Sequence, residues 1–288
     1  MKYIFLFFNY VLLILIIPII LYYYKIDILH YHQQGIYRSM EILGLVFNCK
    51  FILDKRDISK HIPKPHAYDY IISASENITK MLISKNVKNE LIIQIPIIFP
   101  KPNKFKSQEL EFVKKRLNIP SQYILFIGDI IEYKGIFELI KAYKLLNDHY
   151  NIEEKLLIIG KDLTGNKFRK TISNNDNIIY LSELNHKDAL KVIQMSNLVA
   201  LPSKSEGLPR VCLESIALET KVLCPPNIPE FNRYCPQFVC NDINPKDISE
   251  KIIELLNKDN LPNFPFNKHD ENSVVKKYLS LYKSCKNS

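Results

Sequence analysis

The segment that decides the fold is residues 198–225, LVALPSKSEGLPRVCLESIALETKVLCP. It opens with a short apolar run at 198–201 and continues through a polar, glycine-containing loop. Apolar residues then recur at helical spacing over 210–219, and a second apolar run follows at 222–224. This order predicts a strand, a loop, a helix and a strand, which is the repeating unit of a parallel α/β sheet.

Two acidic residues occupy chemically useful positions in this segment, Glu206 in the loop and Glu214 inside the predicted helix. Pro209 suits the first helical position, because its missing N–H would have no partner there anyway. Counted from Pro209, Glu214 lies about 7–8 Å further along the helix axis. The helix start favours an anion such as a phosphate, and an ionised carboxylate accepts hydrogen bonds from sugar hydroxyls. The alternative interpretation is that both acids are solvated surface charges.

Residues 206–217, EGLPRVCLESIA, resemble the donor-binding segment of the retaining glycosyltransferases of family 4, the group 1 enzymes of GT-B type. The preceding LPS at 201–203 and the later IPE at Ile228–Glu230 extend the resemblance. It implies that Glu206 holds the donor sugar and Glu214 the nucleotide ribose, while backbone amides between them meet the diphosphate. Gly207, Leu208 and Pro209 would line this donor loop, and Arg210 would also bind the donor.

Composition limits the classes of protein and partner. The chain has 288 residues, 47% hydrophobic and 24% charged, which is typical of a globular protein with room for two domains. The net charge of +9 favours anionic partners such as nucleotide diphosphates or a membrane surface. No Arg-rich run with interleaved aromatics occurs, so nucleic acid is not predicted as a partner. The six cysteines contain no C-x-x-C pair and no zinc spacing, so free thiols and no metal site are predicted.

Residues 3–24 carry no charged side chain and consist mostly of Ile, Leu, Phe and Tyr. A helix of this length is long enough to cross a bilayer, and no small-residue cleavage site follows it. Two interpretations stay open. In the first, residues 1–24 anchor the protein in a membrane with its catalytic domain in the cytoplasm. In the second, they form an apolar helix that is buried against the following domain.

The pattern of residues 26–57 predicts a strand at 26–29, a helix at 36–47 and a second strand at 50–53. Polar side chains follow both strands, and the carboxyl ends of parallel strands are where ligands bind. The segment resembles the family's D-x-x-H-x-H strand and its D-x-R-D strand end. His32 is therefore a catalytic candidate, although an isolated histidine is often structural. The acceptor-side candidates are His30, Arg56 and Asp57.

Relatives in this family usually begin with a strand, a Gly-rich loop and further βα units before the D-x-x-H strand. The sequence contains no such loop. We therefore predict that residues 25–100 form a shortened N-terminal Rossmann-like domain and that residues 101–121 form a linker. The apolar helix either replaces the missing part, or the chain is a fragment.

The predicted second domain covers 122–288 and ends in a helix expected to return to the N-terminal domain. Its first strand, Tyr123–Gly128, precedes Lys134 and Gly135. This unit resembles the family's strand–G-R-x-x-x-x-K-G–helix, in which the Arg and Lys grip the donor diphosphate. Lys134 and Gly128 are thus donor-site candidates, with Lys134 and Glu206 predicted as catalytic. Asp129 is a further donor-binding candidate, but it stands where Arg is usual, and a carboxylate there disfavours phosphate binding.

The resulting expectation is an α/β protein of GT-B type with two Rossmann-like parallel-sheet domains, the first one truncated, preceded by an apolar helix. The resemblance implies transfer of a sugar from a nucleotide-diphosphate sugar to a glycan or lipid-linked acceptor, with retention. No D-x-D motif follows a strand, so no metal or other cofactor is expected. The alternative hypothesis is a catalytically inactive, membrane-tethered GT-B protein that binds a nucleotide-sugar or a partner enzyme.

Overall fold

The computed structural model describes residues 19, 22–32, 49–58 and 68–287. The chain forms two compact units, one of Met1–Phe99 with Asn267–Ser288 and one of Pro100–Phe266. This division corrects the predicted 122–288 domain at both ends. Residues 267–288 belong to the first unit, and the predicted linker 101–121 belongs to the second.

The first unit contains a parallel sheet of order β1-β2-β3-β4. Its elements are β1 (Ile28–His32), β2 (Lys50–Lys55), β3 (Tyr70–Ser73), helix α1 (Glu76–Ser84) and β4 (Ile92–Gln94). Helix α1 begins where the Ser75 hydroxyl accepts a hydrogen bond from the amide of Ile78 at 3.3 Å. Because β1 extends to residue 32, His30 and His32 lie within the strand rather than beyond its end.

Strand β2 is apolar on both faces because both faces of the sheet are covered. Phe51 and Leu53 pack in one core with Ile78 and Leu82 of α1. On the opposite face, Ile52 shares a core with buried side chains of the last helix, α9 (Glu271–Asn287), among them Val274 and Leu281. The last helix therefore completes the first unit, as a third layer over its sheet.

The second unit is a parallel sheet of order β7-β6-β5-β8-β9. Its strands are β5 (Tyr123–Ile127), β6 (Lys155–Ile159), β7 (Ile178–Leu181), β8 (Leu198–Ala200) and β9 (Val222–Leu223). Its helices are α2 (Ser107–Leu117), α3 (Ile136–Tyr150), α4 (Lys167–Ile172), α5 (His186–Met195), α6 (Arg210–Ala217), α7 (Pro229–Tyr234) and α8 (Pro245–Leu256). After β5, the chain adds β6 and β7 on one side of that strand, and then β8 and β9 on its other side.

Residues before β5 are tied to the second unit by polar contacts with α5. Arg116 of α2 donates a 2.6 Å hydrogen bond to the buried carboxylate of Asp188. The backbone of Phe105 exchanges hydrogen bonds of 2.8 and 3.1 Å with the Gln194 side chain. These contacts explain why the predicted linker clusters with the second unit.

Two predicted elements lie largely outside the described residues, the apolar helix of 1–24 and the helix at 36–47. Of the first, only Ile19 and Tyr22–Tyr24 are described, in helical conformation. Within the described ranges, no helix is both long and apolar enough to cross a membrane. All six cysteines are free thiols, as predicted.

Helix α9 offers a matched pair of leucines to test its contribution to the first unit. Leu281 is 4% exposed in the core and Leu279 is 51% exposed. We expect Leu281→Ala to lower the free energy of unfolding by about 2–5 kcal/mol, because it removes buried methyl groups and leaves a cavity. Leu279→Ala should change it by less than about 0.5 kcal/mol. Denaturant unfolding of both variants checks this, and equal effects would contradict the assigned packing.

Candidate functional site

The candidate site of the second unit lies at the switch point of its sheet, between β5 and β8. Residues 128–135 follow β5 and residues 201–209 follow β8, and these strands are neighbours from which the chain continues in opposite directions. In open parallel sheets, ligands bind outside the carboxyl ends of the strands at this point. The two stretches that carry the predicted donor residues are therefore brought together by topology.

The central contact joins Lys134 to Glu206. The Lys134 ammonium forms an ion pair with Oε1 of Glu206, and the two side chains are only 19% and 14% exposed. The residues lie 72 positions apart in sequence, so the contact depends on the fold. It places a cation suited to a phosphate beside a carboxylate suited to sugar hydroxyls.

Gly135 allows the two loops to approach this closely. Its φ is +73°, and a Cβ atom built there would lie 1.9 Å from the backbone oxygen of Pro202. Two hydrogen bonds hold the loops together, from the Lys204 amide at 2.8 Å and the Ser203 hydroxyl at 3.2 Å, both to the Tyr133 carbonyl. A side chain at position 135 would force the loops apart and separate Lys134 from Glu206.

Helix α6 supplies the predicted phosphate-binding end. It begins at Arg210, and Pro209 is its N-cap with an extended ψ of 120°, which corrects the prediction that Pro209 is the first helical residue. The half-buried Gly207 and Leu208 lead into this start, and Arg210 is exposed. The first-turn N–H groups have no partner within the helix, so they and the Arg210 guanidinium favour an anion. Asp129 is exposed to solvent beside Gly128, whose φ is +142°.

Glu214 has a partner that the sequence analysis missed. Its carboxylate Oε1 lies 2.8 Å from Nε2 of His186, with side chains 12% and 71% exposed. His186 is the first residue of α5, where the Asn185 side chain caps the helix. The two residues are 28 positions apart on different helices, so no local pattern signals the pair. The His186 imidazole therefore contacts the carboxylate that is predicted to hold the ribose.

The first unit contains a second polar cluster at the carboxyl ends of β1 and β2, centred on Asp54. This side chain is 1% exposed. Its Oδ2 accepts from Arg56 at 2.7 and 2.9 Å and lies 3.1 Å from Nδ1 of His32. Nε2 of His30 is 3.9 Å away. The predicted catalytic residue His32 and the predicted acceptor-side residues His30 and Arg56 thus meet around a carboxylate that was not predicted as a site residue.

Helix α9 contributes two tyrosines to this cluster. The Tyr278 hydroxyl donates to Oδ2 of Asp54 at 3.1 Å, and the Tyr282 hydroxyl lies 2.5 Å from Nδ1 of His30. Burial and the nearby Asp54 carboxylate raise the pKa of Tyr278 to about 12, so it remains a hydrogen-bond donor. Burial, followed by the neighbouring His32, lowers the pKa of His30, which favours its neutral form.

The remaining candidate of this unit, Asp57, lies in a different environment. It forms a 2.6 Å ion pair with Lys55, whose side chain is fully buried. Burial lowers the pKa of Lys55, and the Asp57 carboxylate opposes that shift. Asp57 thus follows β2 and is paired with Lys55, the last residue of that strand.

The only described group of three metal-ligating side chains is His30, His32 and Asp54, whose ligand atoms lie within 4.8 Å of one another. Two imidazoles and a carboxylate are suitable ligands for zinc or ferrous iron. However, Arg56 already provides a positive charge to the same carboxylate oxygen, and a second cation there would be repelled.

The comparisons with known proteins agree with these two parallel-sheet units. The family model described as "Glycosyl transferases group 1" matches residues 107–267, more than half of the chain. The chain belongs to this family. All of the candidate donor residues lie inside the matched range, whereas the cluster around Asp54 lies outside it.

Among curated proteins, this group 1 chain is similar to the capsular polysaccharide biosynthesis glycosyltransferase CapM of Staphylococcus aureus, with 25% identity over 66% of this chain and 53% of CapM. It is 26% identical, over 75% of its length and 60% of the relative, to the N,N'-diacetylbacillosaminyl-diphospho-undecaprenol alpha-1,3-N-acetylgalactosaminyltransferase of Campylobacter jejuni. The chain therefore spans little more than half the length of these relatives.

The fold is also similar to a solved glycosyltransferase structure from Rickettsia africae. The TM-score is 0.76 at 18% identity, and the match covers 95% of this chain and 80% of the other. At this identity the likeness supports the fold only.

Two glycines with positive φ test the close approach of the donor-site loops. Gly135→Ala places a Cβ against the Pro202 backbone, whereas Gly165→Ala, at φ +58°, meets nothing within 4 Å. We expect Gly165→Ala to cost about 1–2 kcal/mol of unfolding free energy through backbone strain alone. Gly135→Ala should cost distinctly more because the loops must also separate. Chemical denaturation measures both, and similar losses would contradict the tight loop contact.

Proposed function

We propose that this protein transfers a sugar from a nucleotide-diphosphate sugar to an acceptor hydroxyl. The observation that carries the proposal is the Lys134–Glu206 pair at the switch point of the second unit. Membership of the group 1 family and the CapM similarity support a role in polysaccharide, lipopolysaccharide or glycolipid synthesis.

In this proposal each donor-site residue has a separate task. Lys134, Arg210 and the start of α6 stabilise the negative charge that develops on the departing diphosphate. Glu206 accepts hydrogen bonds from the donor sugar, and Glu214 from the ribose hydroxyls. These protein cations make an obligatory metal unnecessary. We further propose that the reaction retains the anomeric configuration, as the family 4 resemblance implies.

The acceptor would be bound by the first unit, where His30, His32 and Arg56 meet and Asp57 lies nearby. A glycan or a lipid-linked glycan suits this polar cluster. The Campylobacter jejuni relative is named for an acceptor on diphospho-undecaprenol, which supports a lipid-linked acceptor. We also propose that residues 3–24 associate with a membrane, with the catalytic part in the cytoplasm, because they are uncharged and apolar.

A catalytically inactive nucleotide-sugar-binding protein is the second candidate. The replacement of the family's arginine by Asp129 favours it, since a carboxylate near two phosphates weakens their binding. The exposure of Asp129 reduces this objection, because water screens an exposed charge.

The acid at position 206 gives the direct test of the enzyme. We expect Glu206→Gln to reduce turnover of the donor by about 100-fold or more, since it removes a charged acceptor at the reacting sugar. The control Glu254→Gln alters an acid on α8 that pairs with Lys251 and Lys258, and it should leave turnover unchanged. Release of nucleoside diphosphate measures both variants.

Full activity of the Glu206→Gln protein would contradict the donor-site assignment. Donor binding by the wild-type protein without turnover, in the presence of glycan and lipid acceptors, would favour the inactive candidate. The anomeric proton of the product, observed by NMR, decides between retention and inversion. We expect the product linkage to keep the configuration of the donor.

Deletion of residues 1–24 tests the membrane proposal. We expect the full chain to sediment with membranes and the shortened protein to remain soluble without detergent, because only an anchor has been removed. Fractionation by ultracentrifugation measures the distribution. Aggregation of the shortened protein would instead indicate that these residues cover the core of a domain.

A further inference from the structure

We propose that Asp54 is the positioning residue of the acceptor side and that it acts through His32. This inference rests on the proposed function and adds a residue to it. By accepting a hydrogen bond from Nδ1–H of His32, the carboxylate orients the ring and leaves Nε2 to accept a hydrogen bond from the incoming hydroxyl. The class of ligand is therefore an alcohol, the hydroxyl of a glycan acceptor.

The geometry of the two strands sets this pair. His32 and Asp54 are direct partners in the parallel register of β1 and β2, so their side chains emerge on the same face of the sheet. Nδ1 of His32 lies 3.1 Å from Oδ2 of Asp54. The distance is within hydrogen-bond range, and an ionised carboxylate can only accept, so the tautomer that we propose carries its proton on Nδ1.

His32 and Asp54 differ in their exposure to solvent, as the proposed role requires. Asp54 is 1% exposed and held on Oδ2 by Arg56 and Tyr278, whereas His32 is 60% exposed. The carboxylate is thus a fixed anchor and the imidazole reaches solvent, where an acceptor could approach. The hydrogen bond to the Asp54 carboxylate raises the pKa of Arg56, so the guanidinium stays charged beside it.

Helix α9 supports the cluster from above the sheet. Nε2 of His30 lies on the side of Asp54, which favours the tautomer with its proton there and lets Nδ1 accept from the Tyr282 hydroxyl. Nε2 of His30 and Oδ1 of Asp54 are buried without a hydrogen-bond partner among the described residues. A cluster that served only stability would be expected to satisfy these atoms.

The experiment measures the tautomer of His32 and the kinetics of sugar transfer separately. In full-length protein with ¹⁵N-labelled histidine, long-range ¹H–¹⁵N NMR at about pH 8, above the ordinary imidazole pKa, identifies the protonated ring nitrogen. We expect the proton of His32 on Nδ1 in the wild type. Asp54→Asn should give a mixture of tautomers, because an amide can donate as well as accept.

The control is Asp69→Asn, in the same sheet, where the acid pairs with Lys50 at 3.3 Å and accepts from the Phe51 amide. It should leave the His32 tautomer unchanged. In transfer assays, Asp54→Asn should raise the acceptor KM or lower kcat by about tenfold or more. The loss of transfer should exceed any loss of donor hydrolysis measured without acceptor.

Several results would overturn the inference. A wild-type His32 with its proton on Nε2 contradicts it even if Asp54→Asn fails to fold. Equal loss of donor hydrolysis and acceptor transfer would show a general structural role for Asp54. Zinc that shifts the signals of both His30 and His32 would make the cluster a metal centre. A correct tautomer in a protein without any transferase activity would remove the acceptor role together with the proposed function.

Discussion

The close approach of two loops at Gly135 and Pro202 is the constraint on which the candidate donor site depends. A missing Cβ at position 135 lets the turn after β5 rest on the backbone after β8. The contact brings Lys134 to Glu206, on the loop that leads to α6. One glycine thereby connects the topology of the sheet with the placement of opposite charges at its carboxyl edge.

The last helix has a similar organising role in the first unit. Its apolar side chains fill the core above Ile52, and its tyrosines reach the polar cluster at the ends of β1 and β2. The same helix therefore contributes stability and polar contacts. Because Asp54 is buried, its charge requires several partners, and Arg56 and Tyr278 provide them from the strand end and from α9.

Much of the fold follows from local sequence pattern. The strands of the second unit are apolar runs bounded by polar loops, and the strand predicted at 198–201 is observed at Leu198–Ala200. The predicted start of α6 was wrong by one residue because proline fits both the N-cap and the first helical position. The domain boundary was wrong because the contacts of Arg116 with Asp188, and of Leu281 with the first sheet, join distant parts of the chain.

The candidate site was predictable only where residues match a linear motif. Glu206, Glu214 and Lys134 belong to such motifs, whereas His186 and the tyrosines of α9 reach their partners from elsewhere in the sequence. Sequence spacing cannot reveal a contact between residues 28 or 224 positions apart. Asp54 lay within a quoted motif, but its burial, which makes it the centre of the cluster, is a property of the folded sheet.

The proposal that the second unit binds a nucleotide-diphosphate sugar is best tested by isothermal titration calorimetry of the full chain with a panel of such donors. We expect saturable binding of at least one donor, with affinity that falls as salt rises, because the contacts proposed between the diphosphate and the side chains of Lys134 and Arg210 are ionic. Absence of binding by every donor in the panel, from a protein that is folded and monodisperse, would contradict it.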